Sequence, residues 1–315
     1  MTTQQEALTP WTRWVYAAKP KSWPKLLVPM ALGQGLGAYV AGGVSVPALA
    51  FGVLFVVADL LYIVFLNDWG DAAVDRIKRQ MFPNGCSPKT IPDRILPSRA
   101  VLLAGLAAGA IAVGMAFLFE ATLGRPGLGL AGLVALAIFW AYTLPPLRLN
   151  YRGGGELLEA IGVGAVLPWL NAYAQSGVTW DTPYGLLGPF VVLSLASALA
   201  SGLADERSDR EGGKRTGANT LGNPATRRLV EALVLLGAAG WALSPWWLGS
   251  GLPWAVPALA AAVAFALVPR LLSTTRGAVT DAFREQGLYK LELHRAIWWS
   301  ATILAAMLAA LAELT

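Results

Sequence analysis

Long apolar stretches separated by short polar ones dominate this chain. A helix of about 20 mostly apolar residues spans the hydrocarbon core of a bilayer. Nine stretches reach or approach that length: 25–42, 46–66, 99–119, 127–144, 157–175, 184–204, 229–247, 253–272 and 292–312. The pattern predicts nine transmembrane helices. The first carries Gly33, Gly35 and Gly37, which suits close helix packing. The connections alternate in length. Gly42–Ser45, Glu120–Pro126, Ser176–Pro183 and Leu248–Leu252 are short, whereas Asn67–Ser98 and Asp205–Asn223 are long. Within the first long connection, 74–80 is predicted to continue the preceding helix, until Asn84-Gly85, Pro88, Pro92 and Pro97 break it. Gly277 to Leu293 reads as a short amphipathic segment at the membrane surface.

Composition agrees with the pattern. Of 315 residues, 56% are apolar and 14% charged, against about 25% charged in soluble domains. This is the composition of an integral membrane protein. With the N-terminus in the cytoplasm, the connections on that side hold 23 of the 24 Lys and Arg residues, and only Arg125 falls opposite. Such asymmetry is the positive-inside pattern. The net charge of +5 therefore reads as topology, with the lipid bilayer as partner and no nucleic acid. Met1 to Pro10 is polar, without the apolar core of a signal peptide, and is expected to be retained. The single cysteine, Cys86, excludes an intramolecular disulfide and a thiolate metal cluster. The expected architecture is an all-α membrane protein: one domain over 1–315, a bundle around a central cavity.

Two acidic clusters carry the candidate chemistry. Asn67-Asp68-Trp69-Gly70-Asp71-Ala72-Ala73-Val74-Asp75 follows the apolar run Phe51 to Leu66. On a helix Asn67, Asp71 and Asp75 share one face, with Asp68 beside them. Carboxylates so close repel one another unless a cation sits between them. Hard oxygen ligands suit Mg²⁺, which keeps several waters and is usually completed by substrate phosphates. Asp205-Glu206-Arg207-Ser208-Asp209 follows a second apolar run, with Asp205 and Asp209 one helical turn apart. The bland reading of either cluster is a solvated helix end. As a pair, at matching ends of two apolar helices, they suggest one cation site approached from both sides. Asp59 lies about 13 Å deeper than Asp68 at 1.5 Å per residue. An ionisable group at that depth is a functional candidate, with a structural hydrogen bond as the rival reading. His294, the lone histidine, is assigned to the surface.

The two aspartate motifs, each at the cytoplasmic end of a helix, resemble those of the UbiA superfamily of intramembrane prenyltransferases. The tail Gly213-Lys214-Arg215-Thr216, followed by Leu221-Gly222, is also similar. Tyr142 to Glu156 looks most like the MenA-like branch, which prenylates 1,4-dihydroxy-2-naphthoate. Departures are Lys19-Pro20 where that branch usually carries Arg-Pro, and Arg94-Ile95-Leu96-Pro97-Ser98 after the first motif.

The resemblance implies a site for two substrates, a polyprenyl diphosphate and an aromatic acceptor. Two Mg²⁺ ions held by Asp71, Asp75, Asp205 and Asp209, with Asn67 as a neutral ligand, would neutralise the diphosphate. Lys21, Arg94, Arg148 and Lys214 would add donors to the phosphates, although each also serves as a topology marker. Asp68 joins Asp71 and Asp205 among the catalytic candidates. Loss of diphosphate leaves an allylic cation. Tyr62, Phe65, Trp69, Trp140, Tyr142, Tyr151, Trp169 and Tyr173 are its candidate aromatic neighbours, with membrane-interface anchoring as the alternative. Tyr142 is the one counted as substrate-binding. Asp59, at the acceptor end, would accept a hydrogen bond from a phenolic hydroxyl, with Glu156, Glu159 and Asn171 as a polar wall. The rival functions are an intramembrane terpene cyclase, a cation-coupled transporter and a non-catalytic membrane binding protein.

Overall fold

The computed structural model describes residues 9–248 and 251–314. Met1 to Leu8, two residues of the predicted connection Leu248–Leu252, and Thr315 lie outside the described residues. Every regular element described is helical. In chain order these are α1 (Pro10–Ala18), α2 (Pro24–Ala41), α3 (Val46–Gly70), α4 (Ala72–Met81), α5 (Ser98–Leu123) and α6 (Leu128–Thr143). Next come α7 (Leu149–Arg152), α8 (Gly155–Ile161), a π-helical turn (Gly162–Val166), α9 (Leu167–Ser176), α10 (Leu187–Gly202) and α11 (Glu206–Glu211). The last are α12 (Gly217–Leu221), α13 (Asn223–Leu243), α14 (Pro245–Leu248), α15 (Ala255–Thr275) and α16 (Phe283–Ala312).

Among the described residues, six helical runs are long and apolar enough to cross a membrane: Val46–Gly70, Ser98–Leu123, Gly155–Ser176, Thr182–Glu211, Ala255–Thr275 and Phe283–Ala312. The apolar α6 is shorter. Sequence and structure differ at the last helix. The segment assigned to the surface between 277 and 293 is absorbed into α16 from Phe283 onwards. Gln286, Tyr289 and Leu293 recur at helical spacing and are buried. Gln286 also donates from Nε2 to the carbonyls of Leu203 (3.1 Å) and Val279 (2.8 Å).

The apolar residues pack as two main clusters. One gathers Phe51, Phe55, Leu66, Leu136 and Leu170 from α3, α6 and α9. The other gathers Phe190, Trp241, Leu271, Tyr289 and Leu304 from α10, α13, α15 and α16. Helix α2 lies along the seam between them, and its glycines permit the approach. A Cβ added at Gly33 would stand 2.1 Å from the Pro168 carbonyl oxygen, and one at Gly37 2.3 Å from that of Ala172. On the other side, one at Gly35 would stand 2.5 Å from the Ala305 carbonyl oxygen. A polar chain pins the seam. Gln34 Nε2 donates to Asn171 Oδ1 (2.8 Å), and Gln175 Nε2 donates to Gln34 Oε1 (2.6 Å).

Neither acidic cluster continues its helix. Helix α3 stops at Gly70, and Asp71 takes φ −95°, ψ 4° before α4 begins. After α10, one 3₁₀ turn leads to Asp205, at φ −113°, ψ 0°, before α11. Both aspartates sit in the sparsely populated bridge region between helix and strand. The expected unbroken helix through 74–80 is therefore a separate helix with a new phase.

Candidate active site

A cavity of about 410 Å³ opens between the two halves of the bundle. Helix α3 supplies one wall. Asp59, Ile63, Asn67 and Asp71 recur every fourth residue and all line it, as a helical stripe must. Across from them stand Asp205 and Asp209, brought in by the break after α10. The structure thus gathers Asn67, Asp71, Asp205 and Asp209 at one cavity, with Asp59 deeper on the same helix.

Asp71 is the hub. It is buried and accepts from Asn67 Nδ2 (3.0 Å), Tyr151 OH (3.0 Å) and Lys214 Nζ (2.7 Å). Lys214 also lies 3.7 Å from Asp209, so a single ammonium bridges the two motifs. Local structure fixes that lysine. Its N–H donates to the Asp209 carbonyl (2.8 Å), and its own carbonyl accepts from Asn219 Nδ2 (2.6 Å). The Gly217 N–H, two residues past Arg215, donates to Glu156 Oε1 on α8 (2.6 Å). Burial alone would lower the Lys214 ammonium's pKa, but Asp71 and Asp209 hold it above the ordinary lysine range. Burial and then the charge of Asp71 push the Tyr151 phenol up to about 12, so Tyr151 remains a donor.

The other motif residues point elsewhere. The break at Asp71 swings α4 away from the phase of α3, and Asp75 meets Lys89 at 2.7 Å outside the cavity lining. Burial, only partly offset by Lys89, raises the Asp75 carboxyl above its ordinary range. Asp68 is likewise outside the lining. It is paired with Lys19 and accepts from Thr90 Oγ1 at 2.5 Å. Lys78 on α4 pairs with Asp205 and donates to the Ala204 carbonyl at 3.0 Å.

Several expectations need correction. Lys21 and Arg94 are exposed and away from the cavity. Arg148 stacks its guanidinium 3.8 Å over the Tyr151 ring instead of reaching the lining. The cavity's lysines are Lys19, Lys25, Lys214 and Lys290. Of the eight aromatics expected near the site, only Tyr142 lines it; Phe139, one turn before it, joins. Trp169 stacks on Tyr173, and Tyr62 donates to the Leu136 carbonyl at 3.0 Å, both within the packed bundle. Asn171 is spent in the α2 seam, whereas Glu156 and Glu159 do line the cavity. His294 is not a surface residue. It is buried, with Nε2 3.0 Å from Ser197 Oγ and its ring stacked on Trp298 at 4.3 Å between centroids.

Sequence reading missed Lys25, Lys78, Lys89, Lys290 and Phe139. Phe139 and Tyr142 share a helical face, a signal that was legible. The lysines approach from four different elements, and only the fold brings them together.

The deep end is apolar, with Leu60, Ile63, Ile138, Phe139 and Val163 around it. Val163 belongs to the π-helical turn; such turns recur at functional sites. Asp59 is 4% exposed, and its Oδ1 has no hydrogen-bond partner. A buried orphan of this kind costs roughly 1–3 kcal/mol and is supported where a ligand completes it.

The donor set fits Mg²⁺. It is all oxygen, and Lys214 shows that a cation fits between Asp71 and Asp209. Among the described residues no three Asp, Glu, His or Cys side chains converge on one point. Mg²⁺ needs only one or two carboxylates per ion when phosphates and water complete its shell.

The chain is similar to known proteins over most of its length. The model of the UbiA prenyltransferase family matches residues 26–286. The 1,4-dihydroxy-2-naphthoate octaprenyltransferase of Mycobacterium tuberculosis is 28% identical over 253 residues, covering 79% of this chain and 82% of that one. The 2-carboxy-1,4-naphthoquinone phytyltransferase of Synechocystis is 27% identical over 191 residues, 59% of this chain and 57% of that one. A UbiA homolog from Archaeoglobus fulgidus, solved bound to GPP and Mg²⁺, superposes with a TM-score of 0.68 at 16% identity, over 92% of this chain and 99% of that one.

Proposed function

The chain belongs to the UbiA prenyltransferase family, and on that premise we propose that it transfers a prenyl group from a polyprenyl diphosphate to a naphthoate-type aromatic acceptor with Mg²⁺. The observation that carries this reading is the gathering of Asn67, Asp71, Asp205 and Asp209 at the polar end of one cavity whose other end is apolar. The acceptor class is taken from the relatives named above, whose names give a 1,4-dihydroxy-2-naphthoate and a 2-carboxy-1,4-naphthoquinone.

In this reading Asn67, Asp71, Asp205 and Asp209 hold Mg²⁺, with Asp68 and Asp75 orienting the surrounding lysines. When bound, Mg²⁺ stabilises charge developing on the departing diphosphate oxygen. Lys214, poised between the motifs, donates to the phosphates, and Lys78 keeps Asp205 aimed inward. Tyr142 and Phe139 present ring faces to the allylic carbon, and ring faces attract cations by roughly 0.5–2 kcal/mol each. Asp59 accepts a hydrogen bond from the acceptor's phenol. The apolar lining excludes water that would quench the cation.

The whole chain acts as one domain of nine spans, its N-terminus and catalytic mouth in the cytoplasm. Positive-inside charge supports that orientation. The test is purified protein with Mg²⁺, a labelled prenyl diphosphate and 1,4-dihydroxy-2-naphthoate, the products read by mass spectrometry. The expected products are diphosphate and a prenylated ring, either a naphthoate that has lost a proton or a dihydroxynaphthalene that has lost CO₂. A cyclised hydrocarbon or alcohol formed from the diphosphate alone would replace this reading with the cyclase.

A further inference from the structure

Helices α2, α8, α10 and α16 bring a further set of polar side chains to the cavity. Lys25, Glu159, Ser201 and Lys290 all line it. Lys25 is ion-paired with Glu159, and its Nζ donates to Ser201 Oγ at 3.4 Å. The other lining lysines are also neutralised, Lys19 by Asp68 and Lys214 by Asp71 and Asp209. Lys290 differs: among the described residues it has no ion pair or hydrogen bond. Its charged neighbours are Lys25 and Lys78 on one hand and Asp205 and Glu159 on the other. Those two carboxylates are already engaged, by Lys78 and Lys25.

An unpaired ammonium inside a membrane protein is costly and marks a ligand position. We propose that Lys290, with Lys25 beside it, is the subsite for the ring carboxylate of the aromatic acceptor. The inference rests on the naphthoate reading above and adds the group that selects the acceptor. This set suits an anion that is not the diphosphate. Lys214 and Lys78 already serve the motif carboxylates, whereas Lys290 enters from α16, which carries neither motif. A carboxylate there would give Lys290 its partner, with Lys25 alongside already held by Glu159.

The test compares 1,4-dihydroxy-2-naphthoate with 1,4-dihydroxynaphthalene, which lacks the carboxylate. Charge-assisted hydrogen bonds predict a KM for the naphthoate about ten- to a hundredfold lower in the wild-type protein. In Lys290→Met that preference should collapse, the KM for prenyl diphosphate should stay within twofold, and Lys290→Arg should restore part of the preference. Wild-type protein that turns over both acceptors equally would overturn the inference without any variant. A Lys290→Met protein with lost diphosphate affinity and an unchanged acceptor preference would assign Lys290 to the phosphates instead. Wild-type protein that prenylates neither ring would instead refute the function itself, and this subsite with it.

Discussion

Asp71→Asn isolates the charge at the hub while keeping its shape. The amide can still accept from Tyr151 through its carbonyl oxygen. It loses the negative charge that faces Lys214 at 2.7 Å and, in the proposed mechanism, Mg²⁺. Removing one preorganised electrostatic contact to developing charge costs about 2.7–4 kcal/mol, or 10²–10³ in rate. Asp71 acts through a cation shared with the second motif, so the loss belongs at the upper end of that range. The fold should survive, because the buried ammonium of Lys214 keeps Asp209 at 3.7 Å. The assay is kcat/KM for labelled prenyl diphosphate in detergent, alongside the elution volume and melting temperature of the variant. An Asp71→Asn protein that melts like wild type and keeps more than a tenth of its kcat/KM would refute the two-motif site.

Excess chelator should abolish turnover and added Mg²⁺ should restore it. Ca²⁺ should substitute poorly, because it prefers longer bonds and more ligands; full activity in chelator would remove the metal from the mechanism. Gly37→Ala should destabilise the protein by about 1–3 kcal/mol, since its Cβ would meet the Ala172 carbonyl oxygen at 2.3 Å. Gly114→Ala, with nothing within 4 Å, is the control, and equal melting temperatures would show that α2 does not depend on close approach. Asp59→Asn should raise the acceptor KM while leaving diphosphate affinity, measured by calorimetry, nearly unchanged; lost diphosphate binding would move Asp59 out of the acceptor end.

The apolar stretches fall largely on helices, because hydrophobic length is a local signal that needs no tertiary information, and six helical runs among the described residues are long and apolar enough to cross a membrane. The sites of the two motifs were legible for the same reason, since each closes an apolar run. The geometry within each motif was not. Counting every fourth residue from Asn67 placed Asp75 beside Asp71, but the chain turns at Asp71 and hands Asp75 to Lys89. Gly70, where α3 stops, is the local signal of that turn. Lys21, Arg94 and Arg148 lie outside the cavity lining, whereas Lys25 and Lys290 reach it through helix packing, which no local pattern reports. His294 went to the surface for a related reason. Charged residues flank it in sequence, yet it lies on the face of α16 that meets Ser197, with Lys290 one turn before it lining the cavity.

The two breaks also explain how the motifs are held at a working distance. Asp71 and Asp205 adopt nearly the same bridge-region backbone, each between an apolar helix and a short polar one. That geometry turns α4 and α11 to pack on each other, close enough that a Cβ on Gly212 would meet Val74 at 2.6 Å. The lysines that follow then cross over. Lys78, on the helix after the first motif, pairs with Asp205 of the second. Lys214, after the second, pairs with Asp71 of the first. Each half therefore fixes the key carboxylate of the other. The spacing of the carboxylates depends on how the halves dock more than on either helix alone. A site built this way loses its geometry if either half shifts, which is a physical reason for both motifs to be followed by a lysine.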